Sequence, residues 1–275
     1  MGVAERIQGE EASGAPVPSV LRTLVIRPGA IGDAIVSLPA VELLAPAEIW
    51  CPEQNVPLFE HLAPARSLYA EGLDQLTLPE ATLEKLRRFD RIISWYGGQR
   101  EEFRRQVAGL PFEFHRAIPP EGCALHAVDY YLEQIGAPPG AVPRLPFQAP
   151  PAGYAVIHPF SSSQRKNWPL DHFRKTAEVL QRRLPVYWCA GSDEELDGAA
   201  RFPDLRSLAW WLAQANIYIG NDSGISHLAA ACGLPVVALF GPTDPRVWAP
   251  RGHVCVLPFE APPEEVARAA LRLAR

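Results

Sequence analysis

The sequence predicts an α/β protein made of two doubly wound domains, each with a parallel sheet, facing each other across a cleft. Three observations predict this fold. Short apolar runs alternate with helix-like segments, polar turns follow many of the apolar runs, and a Pro-rich segment divides the alternation near its middle. Such alternation is typical of parallel sheets, whose carboxyl edges gather the turns. One continuous sheet is the competing architecture, and the Pro-rich divider makes it less favoured.

In the first half, the apolar run Leu21–Arg27 predicts a buried strand that stops at Pro28-Gly29. A helix-like pattern then runs from Asp33 to Leu44, interrupted by Pro39. The remaining predictions for this half are strands Ala47–Cys51 and Arg91–Trp95 and helices Ala81–Arg88, Arg100–Ala108 and Ala124–Ile135. Periodicity then disappears over residues 143–151, which predicts a semi-extended linker.

The second half repeats the alternation of strands and helices. In chain order we predict strand Tyr154–His158, helix Leu170–Arg183, strand Val186–Cys189, helix Leu208–Gln214, strand Ala215–Ile219, a helix after Ser223, strands Pro235–Phe240 and Val254–Leu257, and helix Pro263–Leu273. The predicted organisation is a flexible tail over residues 1–18, an N-terminal domain over 19–148 and a C-terminal domain over 149–260. Residues 261–275 form a last helix, which could pack back on the N-terminal domain.

Composition excludes several classes of protein. The chain has 275 residues, of which 48% are hydrophobic, so it has enough apolar material for two domains. A net charge of -5 without a basic tract argues against nucleic acid as the main partner. The five cysteines are scattered and odd in number, which favours buried thiols in a reducing compartment over disulfides or zinc. No transmembrane run or signal peptide is evident, so a cytoplasmic protein is expected.

The most informative segment is the polar turn in residues 220–231, which lies between an apolar run and a helix-like run. Asp222, Ser223 and Gly224 open that helix. Small residues let a ligand approach the backbone, and the first amides of a helix are unpaired, which suits a phosphate or diphosphate. The alternative is an Asp or Ser cap on an ordinary helix. Capping needs one polar residue and this turn supplies several, which favours the ligand.

A glycine turn follows the first strand and ends at Asp33. It resembles a dinucleotide fingerprint superficially, but the third glycine is missing. A carboxylate at this helix start would repel a phosphate, so Asp33 is better suited to accept a proton from a hydroxyl. Asp is also a good helix cap, and this segment alone does not separate the two roles.

Three further turns in the second half carry polar residues. Ser161, Ser162 and Lys166 lie in a loop that could bind phosphate or sugar oxygens, although a solvated loop would look the same. Glu195 follows a strand and could bind ribose hydroxyls. Alternatively, it could simply place a negative charge at the start of a helix. Thr243 could add a hydroxyl to the anion site or belong to a plain turn. This distribution predicts the nucleotide on the C-terminal domain and the second substrate on the N-terminal domain.

Three motifs, in this order, resemble the ADP-heptose:lipopolysaccharide heptosyltransferases, glycosyltransferase family 9. They are Ile31-Gly32-Asp33 followed by Leu38-Pro39-Ala40, then Lys166-Asn167-Trp168-Pro169, and then residues 221–230 with Phe240-Gly241-Pro242-Thr243-Asp244-Pro245. The likeness covers most of the chain from about Leu21 onward. It implies the two-domain GT-B fold and an inverting, metal-independent transfer of a sugar from a nucleotide-diphosphate donor to an acceptor hydroxyl.

The resemblance also implies a role for each candidate residue. Asp33 matches the general base, and Lys166 matches the residue that neutralises the diphosphate leaving group. The implied donor-binding residues are Asp222 at the sugar, Ser223, Gly224 and Thr243 at the phosphates, His227 as a support, Glu195 at the ribose, and Ser161 and Ser162 in the basic loop. The implied partners are a nucleotide-sugar donor, ADP-linked, and a glycan or lipopolysaccharide-type acceptor. No cofactor or metal is implied, and the expected location is the cytoplasm, with attachment to the inner face of the membrane left open.

Departures from the family pattern limit what the resemblance implies. The chain is shorter than typical members, Ser223 stands where Thr is usual, and the loop Ser161–Gln164 is not a strict match. Donor chemistry therefore transfers better than the identity of the acceptor or of the sugar. Two other function classes stay open: a sugar-nucleotide epimerase, which should carry a full dinucleotide fingerprint, and a non-catalytic nucleotide-sugar-binding protein, which would not need Asp33.

Overall fold

Two five-stranded parallel sheets form the frame of the protein. The computed structural model describes residues 21–274, so the tail predicted over residues 1–18 lies outside the described residues. The two sheets confirm the predicted pair of doubly wound units and exclude one continuous sheet.

The first sheet has the strand order β3-β2-β1-β4-β5. Its central strand, β1, is fully buried, as its apolar sequence requires. The elements of this half are β1 Thr23–Ile26, α1 Ile31–Leu43, β2 Glu48–Cys51, α2 Val56–Phe59, β3 Ala65–Ser67, α3 Glu80–Leu86, β4 Arg91–Ser94, α4 Glu101–Gln106, β5 Phe112–Phe114 and α5 Ala127–Gln134.

The second sheet contains the strands of the C-terminal half. Its elements are β6 Ala155–His158, α6 Leu170–Leu180, β7 Val186–Trp188, α7 Leu205–Ala213, β8 Ile217–Asn221, α8 Gly224–Ala231, β9 Val236–Phe240, α9 Pro245–Trp248, β10 Val254–Pro258 and α10 Pro263–Leu273. The strand order is β10-β9-β8-β6-β7, so the direction of winding reverses between β6 and β8. Ligands of open α/β sheets bind beyond the carboxyl ends of the strands at such a reversal. The ends of these two strands are His158 and Asn221.

Two strands were not predicted. Both β3 and β5 have three residues and a half-exposed polar centre, Arg66 in one and Glu113 in the other. They lie at the two edges of the first sheet, where one side of a strand faces solvent. Such short edge strands lack the apolar run that predicts a buried strand.

Strand β8 is longer than predicted. Gly220 and Asn221 were expected in a turn, but they continue the parallel pairing with β9, where Asn221 pairs with Leu239. The turn is therefore reduced to Asp222 and Ser223.

The position of α10 differs from the arrangement considered from sequence. Its buried residues Val266, Ala267 and Ala270 pack in a core with residues of the second half, including Phe173 of α6. The idea that the last helix packs back on the N-terminal domain is therefore wrong. The helix is amphipathic, and the nearest apolar surface it can cover is that of its own sheet.

The two halves share a second, larger core through α1 and α8. Residues of α1 such as Ile35 and residues of α8 such as Leu228 belong to this one cluster of buried side chains. The Pro-rich segment at 143–151 has no regular structure, as predicted, but it is packed rather than free: Leu145 and Phe147 are both 4% exposed. The N–H of Leu145 also donates to the carbonyl of Ala231 at the end of α8, at 2.9 Å.

The cysteines are all free thiols, as predicted. Cys51, Cys189 and Cys232 are buried, and burial raises the pKa of each of these thiols to about 12. Cys123 and Cys255 are only partly buried. Within residues 21–274, none of the helices has the length and apolar character needed to cross a membrane.

Candidate functional site

A cavity of about 640 Å³ lies between the two halves. One side is formed by the start of α1, including Ile31 and Gly32, and by residues 53–57. The other side comes from turns at the carboxyl edge of the second sheet. Four of the predicted site residues line this cavity: Ser161, Ser162, Ser223 and Gly224. The sheet edge chosen from sequence is thus the edge that borders the cavity.

The starts of α1 and α8 meet at this cavity. A Cβ atom on Gly224 would lie 2.8 Å from Cβ of Ile31 and 2.9 Å from the backbone nitrogen of Gly32. Gly224 is therefore needed for close packing between the halves, in addition to any access it gives a ligand. Ser223 caps α8, its hydroxyl accepting the N–H of Ser226 at 3.4 Å. The N-terminus of α8, with no acidic residue in its first turn, favours an anionic ligand.

Lys166 and Asp222 form an ion pair next to the cavity. Nζ of Lys166 lies 2.7 Å from Oδ2 of Asp222, and the two side chains are 32% and 8% exposed. Asp222 directly precedes the cap of α8, and Lys166 lies in the loop that carries Ser161 and Ser162. The structure therefore brings together the predicted leaving-group residue and the predicted donor-sugar residue.

The acid that lines the cavity is Glu194, not the predicted Glu195. Glu195 is exposed and lies outside the cavity lining. Oε2 of Glu194 accepts the backbone N–H of Gly191 at 2.6 Å and lies 3.1 Å from Nε2 of His158. Burial raises the pKa of Glu194, but the hydrogen bonds from His158 and Gly191 outweigh it, so the pKa is lowered overall. Two consecutive acids in a turn cannot be told apart by sequence.

Asp33 occupies the third position of α1, beside the cavity residue Gly32. Its Oδ2 accepts the N–H of Ala30 at 2.9 Å, so the capping contact considered from sequence is present. No other described residue donates a hydrogen bond to the carboxylate, which leaves Oδ1 available to a ligand.

Arg27 holds the turn that presents Asp33. Its side chain is 1% exposed and donates to the Ser37 hydroxyl, to the carbonyl of Pro28 and to the carbonyl of Asp33, each within 2.8 Å. The guanidinium also lies over the Tyr131 ring, 4.6 Å from its centroid. Sequence analysis gave Arg27 no role. A basic residue between a buried strand and Pro-Gly was the only signal available.

His227 and Thr243 lie away from the cavity surface. His227 is 5% exposed and packs behind Gly32, where burial lowers its pKa to about 4. Thr243 is half-buried in the turn after β9 and does not line the cavity. His227 can therefore support the contact between the halves, and Thr243 lies outside the cavity lining that includes Ser161, Ser162, Ser223 and Gly224.

A second cavity, of about 550 Å³, lies in the first half at the carboxyl ends of β4 and β5. Arg100, Arg104 and Arg116 line it, together with Trp95 and His115. Its arginines make it suited to an anionic ligand. Within the described part of the chain, no cluster of three or more His, Cys, Asp or Glu residues could hold a metal ion.

Comparison with known proteins gives a family match for the C-terminal half. Residues 139–260 match the family described as Glycosyltransferase family 9 (heptosyltransferase). This segment is therefore similar to glycosyltransferase family 9. The match contains the loop with Ser161, Ser162 and Lys166, the Lys166–Asp222 pair and the start of α8. It therefore confirms the resemblance for the second and third motifs, while the first motif lies outside it.

Curated relatives match about a third of the chain. The chain is 34% identical over 117 residues to lipopolysaccharide heptosyltransferase 3 of Escherichia coli K12, covering 35% of this chain and 33% of the relative. It is 33% identical over 109 residues to lipopolysaccharide heptosyltransferase 1 of Pseudomonas aeruginosa PAO1, covering 35% and 31%. The matched part thus spans about a third of the length of these curated relatives.

Solved structures extend the likeness in fold to both halves. E. coli ADP-heptose lps heptosyltransferase II superposes with a TM-score of 0.74 at 17% identity, covering 92% of this chain and 98% of that one. The glycosyltransferase family 9 protein of Veillonella parvula DSM 2008 superposes with a TM-score of 0.72 at 17% identity, covering 92% and 97%. These matches confirm the predicted GT-B-type fold.

Proposed function

We propose that this protein is a glycosyltransferase that moves a heptose or similar sugar from an ADP-linked donor to a hydroxyl of a glycan or lipopolysaccharide-type acceptor. The transfer inverts the anomeric centre and uses no metal ion. The observation that carries the proposal is the position of the Lys166–Asp222 pair, beside the α8 N-terminus and the cavity that Gly32, next to Asp33, lines from the other side. The start of α8, which has no acidic residue in its first turn, and a lysine replace a metal ion at a leaving diphosphate.

The donor half of the proposal is supported by the chemistry of the cavity. The Ser162 hydroxyl and the first amides of α8 offer donors to phosphate oxygens, and Glu194 offers an acceptor to ribose hydroxyls. The Ser161 hydroxyl donates within the loop, to the Asn167 side chain at 2.7 Å, and would have to turn to reach a ligand. An E. coli heptosyltransferase WaaC solved with ADP has the same fold, with a TM-score of 0.65 at 19% identity. That likeness supports ADP as the nucleotide to test first.

The part of the proposal that concerns the acceptor rests on Asp33 and on the second cavity, which is lined by arginines. The free Oδ1 of Asp33 accepts the proton of the attacking hydroxyl, which approaches the donor sugar from the face opposite the diphosphate. Arg100, Arg104 and Arg116 then hold an anionic part of the acceptor. The expected location is the inner side of the membrane that carries such an acceptor.

A non-catalytic nucleotide-sugar-binding protein is the second candidate. It is favoured by one observation, the hydrogen bond from Ala30 to Asp33, which gives that carboxylate a structural role. Donor binding is common to both candidates, and only turnover separates them.

A calorimetric titration with ADP-, UDP- and GDP-sugars tests the proposal. We expect the ADP-sugar to bind, the other two to bind more weakly, and EDTA to leave binding and turnover unchanged. Lys166→Met is the test variant, because it removes the charge expected to face the diphosphate and should therefore weaken binding. Absence of binding to all three sugars, or binding that Lys166→Met does not weaken, would contradict the proposed site.

A further inference from the structure

Asn221 connects to both ends of the loop that carries the lysine. It is the last residue of β8 and is 0% exposed. Its Nδ2 donates to the carbonyl of Pro159 at 2.8 Å, and its Oδ1 accepts the N–H of Trp168 at 2.9 Å. Residues 159–168, which we call the basic loop, contain Ser161, Ser162 and Lys166. One buried side chain therefore fixes the two points at which the basic loop leaves and rejoins the core.

We propose that Asn221 is a positioning residue that holds the basic loop so that Lys166 faces Asp222 and the cavity. The role assigned to Lys166 itself rests on the proposed function. The arrangement uses two consecutive residues of the chain. Asn221 fixes the ends of the basic loop, and Asp222 binds Lys166 between those ends, with Nζ and Oδ2 2.7 Å apart.

The chemistry of the two hydrogen bonds requires an amide side chain. The Pro159 carbonyl can only accept and the Trp168 N–H can only donate, so the partner must donate on one side and accept on the other. Asp would place an oxygen against the Pro159 carbonyl, and Leu would satisfy neither group. A buried backbone group left without a partner costs stability, so loss of the amide favours a state in which the basic loop leaves the core.

Other contacts also hold the basic loop, but each acts on one part of it. The N–H of Lys166 donates to the carbonyl of Ser163 at 2.9 Å, which shapes one short turn. The Trp168 indole, 1% exposed, donates to the Phe259 carbonyl at 2.9 Å, and Lys166 pairs with Asp222. The Asn221 amide, in contrast, joins both ends of the loop. Arg165 is exposed and Lys166 is half-buried, so neither anchors the turn by burial.

The first experiment measures the order of the basic loop in Asn221→Leu, without any ligand. We expect faster hydrogen exchange of the Trp168 amide and faster tryptic cleavage after Arg165 and Lys166. Asn221→Thr, which is too short to reach both ends of the loop, serves as a milder second variant and should change both readouts in the same direction. An unchanged Trp168 amide and an unchanged cleavage rate in both variants would overturn the proposal.

The chain offers a matched control at the opposite edge of the same sheet. Oδ1 of Asn216 accepts the N–H groups of Gly153 at 2.8 Å and Tyr154 at 3.1 Å, just before β8 begins. Asn216→Leu removes a comparable pair of hydrogen bonds far from the cavity. We expect it to lower the melting temperature while leaving the Trp168 amide and cleavage in the basic loop unchanged.

The second experiment is a double-mutant cycle on ADP affinity, because the part of an effect that passes through Lys166 disappears once Lys166 is gone. We expect Asn221→Leu to weaken ADP binding about tenfold, as the loss of one charge-assisted contact would. In the Lys166→Met background the same change should have a clearly smaller effect, limited to the displacement of Ser161 and Ser162. Additive losses would overturn the positioning role.

The two experiments also separate this proposal from the proposed function. If the wild-type protein fails to bind ADP, the nucleotide site is wrong. The exchange and cleavage measurements would then still decide whether Asn221 holds the basic loop.

Discussion

Nζ of Lys166 lies 2.7 Å from Oδ2 of Asp222, and the carboxylate is 8% exposed. The two charges compensate each other before any ligand is present. A diphosphate that binds Lys166 therefore has to share the cation with Asp222, and a sugar hydroxyl that donates to Asp222 would compensate the carboxylate. This pair gives the candidate site its first test.

Lys166→Met should destabilise the protein as well as weaken ADP binding, because it leaves the Asp222 carboxylate nearly buried and unpaired. We expect the free energy of unfolding in urea to fall by about 1–3 kcal/mol. Adding Asp222→Asn should restore most of that stability without restoring ADP affinity. Equal stability of the single variant and the wild type would show that the pair contributes nothing to the fold.

Asp33→Asn should lower turnover by about 10²–10⁴-fold while donor affinity changes little. The asparagine oxygen can still accept the N–H of Ala30, so the start of α1 is kept and the melting temperature should stay close to that of the wild type. Steady-state kinetics and calorimetry on the same preparation provide the measurements. A variant with wild-type turnover would leave Asp33 with the capping role alone.

Glu194 and Glu195 form a matched pair for the ribose position. Glu194→Gln should weaken ADP binding about tenfold, because the cavity loses a carboxylate that lines it and is held in place by hydrogen bonds. Glu195→Gln, at an exposed position, should leave affinity unchanged. Comparing ADP with 2′-deoxy-ADP checks the contact, since Glu194→Gln should reduce the preference for the ribose. The opposite ranking of the two variants would favour Glu195 as the ribose-binding acid.

His227 should make the fold sensitive to acid. Burial lowers its pKa from 6.5 to about 4. Between these pH values the unfolded chain binds a proton that the folded protein does not, so stability is present above pH 6.5 and falls as the pH approaches 4. The loss is at most about 3 kcal/mol. Urea unfolding at several pH values should show a shallower slope in His227→Gln than in the wild type. His253→Gln, at an exposed site, should keep the wild-type slope.

Gly224→Ala should lower the stability of the protein, because it disturbs the contact between the halves where α1 and α8 meet. The new Cβ would lie 2.8 Å from Cβ of Ile31, closer than side chains pack, and we expect a loss of about 1–3 kcal/mol. Gly32→Ala is the matched control, because its Cβ would lie 3.6 Å from the nearest atoms, an ordinary contact. Calorimetric melting of both variants makes the comparison. Equal melting temperatures would mean that the contact can relax at no cost.

Much of the fold was predictable because its strands are buried on both faces. β1 and β9 appear in the sequence as continuous apolar runs, and both strands are found where those runs predict them. β3 and β5 were missed because an edge strand three residues long needs no apolar run. The position of α10 was undetermined because an amphipathic helix shows which face it buries and not which partner it buries that face against.

The candidate site was predictable to the level of the turn and not to the level of the side chain. The turns around Ser161 and Ser223 were found because polar residues follow buried strands, and parallel strands bring those ends to one edge. Whether Glu194 or Glu195 faces the cavity depends on the path of a few backbone residues, which the local sequence does not show. The partners of Asn221 lie 53 and 62 residues away, which a local pattern does not encode.

The buried contact between α1 and α8 also constrains how the protein can move. Pulling these helices apart would expose the core that both halves share, so we expect the halves to stay joined at this point. Asp33 lies in the first turn of α1, and the same contact therefore sets its distance from the start of α8.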